Sequence, residues 1–226
     1  MTSSFAPDRG GKASPGAAAP EAADAVVPAP VQRSLDRGLR ALAESPGSAE
    51  EGLQEPATPA AGQVAQWNAD GAPGGLLPRR SDSLRDHPGQ ISFPGGCLER
   101  EDETAEVTAL REAREEVGLG PQAVRILGRM TPYRTGTGFL IFPIAAVVAT
   151  PKEWRPRPCP QEVAEVFSFP LQVLLDERAH QRVTMPVEDG TPMMFPAFRW
   201  EGRLIWGATA GILVELAHLI WKGDGP

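Results

Sequence analysis

Cysteine is almost absent from this chain: Cys97 and Cys159 are the two in 226 residues, far apart and in no metal-ligand or redox spacing. No disulfide framework is expected, and each thiol reads as an ordinary buried or surface group. Positive charge is also scarce. With 22 Lys and Arg against 29 Asp and Glu the formal net charge is −7, which gives no global basic field for nucleic acid. An anionic ligand must then be met by a local basic cluster. Long apolar runs are missing too. The longest, Phe139 to Ala149, contains Pro143 and falls far short of the roughly twenty residues that span a bilayer, so it reads as a core strand and no membrane partner is expected. The N-terminus has no basic region followed by an apolar core and a small-residue cleavage site, which predicts a cytoplasmic protein. No Ser, His and Asp stand in a nucleophile arrangement, no Gly-Lys-Ser/Thr phosphate loop occurs, and no repeat is visible.

The remaining composition divides the chain. Residues 1–62 are rich in Ala, Pro, Gly, Ser and Glu, with few large side chains to offset the entropy of ordering, and are expected to form a mostly disordered tail. Within it, Leu35, Leu39 and Leu42 are four and three apart and predict one short amphipathic helix over 31–44. That helix packs on the domain, binds a partner, or is marginal and without function. A domain over 63–222 should follow. Val64 to Trp67 is expected as a first strand and Leu76-Leu77 as the start of a second.

One stretch carries the chemistry. From Thr104 the residues Val107, Leu110, Ala113 and Val117 fall at helical spacing and Gly118 is a stop signal. Glu112, Glu115 and Glu116 sit at i, i+3 and i+4, so three carboxylates project from one helix face. Such a face is either solvated or holds a hard cation, and oxygen ligands select Mg²⁺ or Mn²⁺. Upstream, Phe93-Pro94-Gly95-Gly96 lets the backbone pass close to that face, where the Gly95 carbonyl can complete the coordination.

These residues resemble the Nudix box, G-x5-E-x7-R-E-U-x-E-E-x-G-U with U apolar. The match runs from Glu103 through Arg111-Glu112-Ala113, Arg114, Glu115-Glu116, Val117 and Gly118-Leu119. Six residues instead of five separate Gly96 from Glu103, so either the loop is one residue long or Asp102 takes part of the glutamate's role. The resemblance implies an α/β (α+β) fold, a mixed sheet sandwiched between helices, and metal-dependent cleavage of a diphosphate. It implies metal ligation by Glu112, Glu115, Glu116 and Gly95, with Glu112 as base or shared ligand and Arg111 pairing with Glu103.

Leu76-Leu77-Pro78-Arg79-Arg80-Ser81, Arg85, Gly89 and Phe93-Pro94-Gly95-Gly96 are similar to the segment that marks the coenzyme A pyrophosphatase-like branch of the family. Pro78 replaces a threonine there, and an interrupted or edge strand is expected. Arg79, Arg80, Arg85 and His87 concentrate positive charge ahead of the metal loop, and arginine forks pair with phosphate oxygens. Arg80 and Arg85 are the nearest candidates for the 3′-phosphate of a coenzyme A-type substrate. A similar turn contains Tyr133, which either stacks on the substrate or caps the core. Glu162 and Glu165 are candidate accessory acids on opposite faces of one strand, so at most one points to the site. Ile205-Trp206-Gly207-Ala208-Thr209-Ala210 also resembles this branch, and His218 reads as structural. Phe195 to Trp200 and Arg203 to Trp206 predict a hairpin, and Gly207 to Trp221 an amphipathic helix. Rival readings are hydrolysis of ADP-ribose or an NADH-type dinucleotide, or a catalytically silent binding module. A homodimer stays open.

Overall fold

The computed structural model describes residues 37–38, 40, 58–65, 74–136, 138–148, 155–187 and 190–222. Thr104 caps the helix α1 (Ala105–Val117), its hydroxyl accepting the Val107 N–H. Gly118 ends the helix at φ 72°, a left-handed conformation, with its N–H directed to the Ala113 and Arg114 carbonyls. The inward face of α1 is made of small residues, Ala105, Ala109 and Ala113, together with Thr108, Glu116 and Val117. Val107 is 43% exposed, so the apolar stripe lies beside the Val107 and Leu110 line read from spacing. Alanine lets the helix approach the sheet closely, and the bulkier side chains turn outward.

The described strands are, in chain order, β1 (Thr58–Ala65), β2 (Gly74–Arg80), β3 (Gly96–Cys97), β4 (Val124–Arg129), β5 (Tyr133–Arg134), β6 (Phe139–Val148), β7 (Val163–Pro170), β8 (Gln181–Pro186), β9 (Pro192–Trp200) and β10 (Arg203–Trp206). After α1 the helices are α2 (Leu171–Leu175) and α3 (Gly207–Lys222). One sheet has the order β3-β1-β6-β4, with β5 also on β6; β10-β9-β8 and β2-β7 form two smaller sheets. β1 runs parallel to β6, and the other pairs are antiparallel. The fold is therefore the mixed α/β arrangement expected from the sequence.

Leu76 and Leu77 show how β2 joins two cores. Alternation sends Leu76 into the cluster with Ala109, Ala113, Val117 and Ile144 under α1, and Leu77 into the cluster with Phe93, Phe198, Ile205 and Leu213 under α3. The sheets are thus held between α1 and α3. β2 runs through Pro78 without a break, and the Ser92 N–H donates to the Pro78 carbonyl. The β9–β10 hairpin turns at Glu201 (φ 46°) and Gly202 (φ 76°), the two positive φ values of a two-residue turn.

Two elements differ from expectation. The first strand is Thr58–Ala65, so it starts inside the segment read as linker and ends two residues short of Trp67. Its Ala, Pro and Gly residues carry no strand signal, and pairing with β3 and β6 defines it. The helix expected over 31–44 lies outside the described residues except for Arg37, Gly38 and Arg40, which are helical. Gly38 is buried, and a Cβ there would stand 2.8 Å from the Ile220 Cα, so this segment lies directly on α3. No helix is long and apolar enough to cross a membrane among the described residues.

Candidate active site

The C-terminal half of α1 and the loop 93–97 form the site. Gly96 passes so close to α1 that an added Cβ would lie 2.2 Å from Glu112 Oε1. Only glycine permits that approach. One residue earlier, the Gly95 N–H donates to the Glu116 carboxylate. The Gly95 group that touches the acid is thus its N–H, where the sequence pointed to its carbonyl.

Glu116 is buried, and its Oε2 has no hydrogen-bond partner among the described residues. Burial, then the Glu112 and Glu162 charges, push its carboxyl up to about 8. Glu112 is raised as well, again first by burial and then by Glu115 and Glu162, against the pull of Arg111. Glu115 lies at the rim, its side chain 50% exposed. Four carboxylates therefore share one neighbourhood: three from the helix and Glu162 from the turn ahead of β7. That turn is tied to the helix end, since the Arg157 and Cys159 N–H groups donate to the Val117 and Glu116 carbonyls. Glu165 points elsewhere, pairing with Arg203. Of the two accessory acids, Glu162 is the one brought to the site.

Arg111 organises this face. Its Nη1 lies 2.9 Å from Glu112 Oε1 and 3.2 Å from Glu115 Oε2, and its Nη2 donates to the Cys97 carbonyl and to Asp102 Oδ2. The acid partner is Asp102. Glu103, the residue at the motif's glutamate position, is exposed, whereas Asp102 is buried and also accepts the Thr108 hydroxyl and the Glu99 N–H. The extra loop residue shifts the inward position by one. Hydrogen bonds from Arg111 and then Glu99 hold the Asp102 carboxyl down to about 2.

The arginines ahead of the loop are separated by strand alternation. Arg80 acts on Glu116, and its buried Nε lacks a hydrogen-bond partner among the described residues. Arg79 forms a two-bond fork with Asp82 and sits near Glu165 instead. Arg85 and His87 are exposed, His87 at φ 54° in the connecting turn. Tyr133 packs over Gly211 of α3, where an added Cβ would meet its ring at 2.6 Å, so it caps the core. A residue not singled out as functional is Thr209, whose buried hydroxyl donates to the Ile91 carbonyl at 3.0 Å and pins the strand end that leads into the loop. The Ile205 to Ala210 segment carried the signal.

No group of three His, Cys, Asp or Glu stands ready-made for a metal among the described residues, and Arg111 engages oxygens of Glu112 and Glu115. The donor set nevertheless fits a divalent cation. The two buried orphan atoms among the described residues are an acceptor, Glu116 Oε2, and a donor, Arg80 Nε. The first suits a cation and the second an anion beside it.

The sequence model of the NUDIX domain matches residues 56–186, more than half of the chain, and the chain belongs to the Nudix family. It is a Nudix hydrolase, a pyrophosphohydrolase of phosphorus-containing anhydrides, and such enzymes generally use divalent metal ions. The uncharacterized Nudix hydrolase NudL of Photorhabdus laumondii is 36% identical over 146 residues, covering 64% of this chain and 76% of that protein. Among solved structures, DR0079 from Deinococcus radiodurans is similar with a TM-score of 0.46 and 18% identity over 73% of this chain and 86% of its own. The NUDIX domain of Shewanella oneidensis NrtR, solved with ADP ribose, gives a TM-score of 0.42 and 18% identity over 57% and 82% of the two chains.

Proposed function

We propose that the protein hydrolyses the diphosphate bond of coenzyme A or its esters, giving 3′,5′-ADP and 4′-phosphopantetheine or its acyl derivative, with Mg²⁺ or Mn²⁺ in the cytoplasm. The observation that carries this reading is the pair of orphan atoms: an unpartnered carboxylate oxygen on Glu116 and an unpartnered guanidinium N–H on Arg80, on facing elements. A bound divalent ion and a diphosphate would satisfy both. The arginine segment around Arg80, Arg85 and Gly89 favours coenzyme A over ADP-ribose or an NADH-type dinucleotide.

Glu116, Glu112 and Glu115, with Glu162 as accessory acid, are the residues that would hold the metal, and it would neutralise charge developing on the diphosphate. Arg80 is assigned to the diphosphate oxygens, and Arg79 and Arg85 to other parts of the substrate. Glu112 is assigned to take the proton of the attacking water as the water oxygen bonds to one phosphorus and the bridging P–O bond breaks. The leaving phosphate keeps the bond's electron pair. Arg111, anchored by Asp102, holds Glu112 in place, and the Gly95 N–H holds Glu116.

Mass spectrometry of the products from coenzyme A, its esters, dephospho-coenzyme A, ADP-ribose and NADH tests the assignment. Preferential release of 3′,5′-ADP from the coenzyme A group is expected. Preferential cleavage of ADP-ribose or NADH would replace the assignment.

A further inference from the structure

Arg79 lines a cavity of about 720 Å³, together with Gly89, Gln90, Glu165, Arg203 and Trp206. It lies away from Glu116, because Arg79 and Arg80 are strand neighbours pointing to opposite faces. Its volume is within the roughly 300–1,000 Å³ of small-ligand sites. The wall joins Arg79, residues 88–91, Glu165 and the β9–β10 turn and strand, 201–204 and 206.

Two guanidinium forks converge here from different strands. Arg203 of β10 pairs with Glu165 and Glu201, and its guanidinium lies 4.5 Å from the centre of the Phe167 ring. Arg79 of β2 forks onto Asp82, and both arginines draw the Glu165 carboxyl below its ordinary range, Arg203 more strongly. The outer partners differ from the inner one. Asp82 and Glu201 side chains are 72% and 62% exposed, and exposed ion pairs contribute little and exchange readily. Glu165 and the Phe167 ring would keep the Arg203 fork oriented after Glu201 leaves. Gly89 (φ 68°) leaves the Arg79 fork room, since a Cβ there would stand 3.1 Å from Nη1. A group with several anionic oxygens matches two such forks.

We propose that this cavity binds the phosphomonoester group of a nucleotide, its phosphate bridging Arg79 and Arg203 in place of Asp82 and Glu201. The proposal rests on the reading of the chain as a hydrolase of nucleotide-derived diphosphates. The phosphate is either the far end of the substrate or a separate nucleotide.

The test is calorimetric binding of adenosine 3′,5′-bisphosphate and of adenosine to the metal-free full-length protein, where no hydrolysis is needed, so failure of the catalytic reading leaves the result intact. The bisphosphate should bind more tightly than adenosine, and Arg203→Gln should weaken it roughly ten- to a hundredfold without changing adenosine. Glu201→Gln should tighten it about two- to fivefold, a gain that misfolding cannot produce. Kinetics with Arg203→Gln then separates the sources. A KM increase confined to coenzyme A, sparing dephospho-coenzyme A, assigns the cavity to the substrate's own phosphate; an unchanged KM with lost bisphosphate binding assigns it to a separate nucleotide. Equal affinity for bisphosphate and adenosine, or no change in either variant, would overturn the proposal and leave Arg203 as a tie between β10 and β7.

Discussion

Replacing Gly96 by alanine should cost about a hundredfold in kcat while leaving the fold as stable as before. The new Cβ would lie 2.2 Å from Glu112 Oε1 and 2.6 Å from its Cδ. An ordinary contact needs about 3.4 Å or more, so the carboxylate must retreat by over an ångström. Retreat breaks the 2.9 Å bond to Arg111 Nη1 and moves the group assigned as base. Misplacement of about 1 Å is enough to cost roughly a hundredfold in rate. Stability should not fall with it. Gly96 is not among the residues with positive φ, so alanine adopts its backbone conformation, and the smaller unfolded-state entropy offsets lost contacts by about 0.4–1 kcal/mol. The assay is steady-state hydrolysis at saturating Mg²⁺ beside a urea unfolding curve. Gly75→Ala, where a Cβ meets nothing within 4 Å, serves as control. Full activity in Gly96→Ala would refute the placement of Glu112.

Thr209→Val leaves the buried Ile91 carbonyl without its donor and should cost about 1–3 kcal/mol in urea unfolding, with Thr209→Ser recovering most of it; an undiminished stability in Thr209→Val would show that the hydrogen bond contributes nothing. In metal-free protein Glu116 keeps its proton up to about pH 8, against 4.5 ordinarily, so the native state binds more protons in that window. Stability should fall as pH rises through it and level off above, and Glu116→Gln should flatten that slope; an identical slope in the variant would contradict the burial argument. Gly38→Val sets a side chain against the Ile220 backbone, which cannot yield, and should lower stability by about 1–3 kcal/mol with kcat unchanged. An unaltered melting temperature would mean the segment leaves α3 at no cost.

The helix of the site was legible because its signals are local: Thr104 caps it, Gly118 stops it, and the glutamates follow its period. The β9–β10 hairpin was legible for the same reason, with Glu201-Gly202 between two apolar runs. What stayed hidden depends on partners distant in sequence. β1 has weak strand residues and exists through β3 and β6. β8 was missed because its pattern has meaning only beside β9. Asp102 and Glu103 are adjacent acids, and only the loop path decides that Asp102 turns inward to Arg111. The same holds for the arginines: sequence clusters Arg79 and Arg80, and the strand sends them to opposite faces.

The proposed chemistry depends most directly on a divalent cation held at the carboxylate face of α1. Calorimetric titration of Mn²⁺ into metal-free protein should show binding that weakens at least about tenfold in Glu116→Gln, the loss of one charged ligand, and is unchanged in Glu103→Gln. Wild-type affinity in Glu116→Gln, or a loss in Glu103→Gln alone, would contradict it.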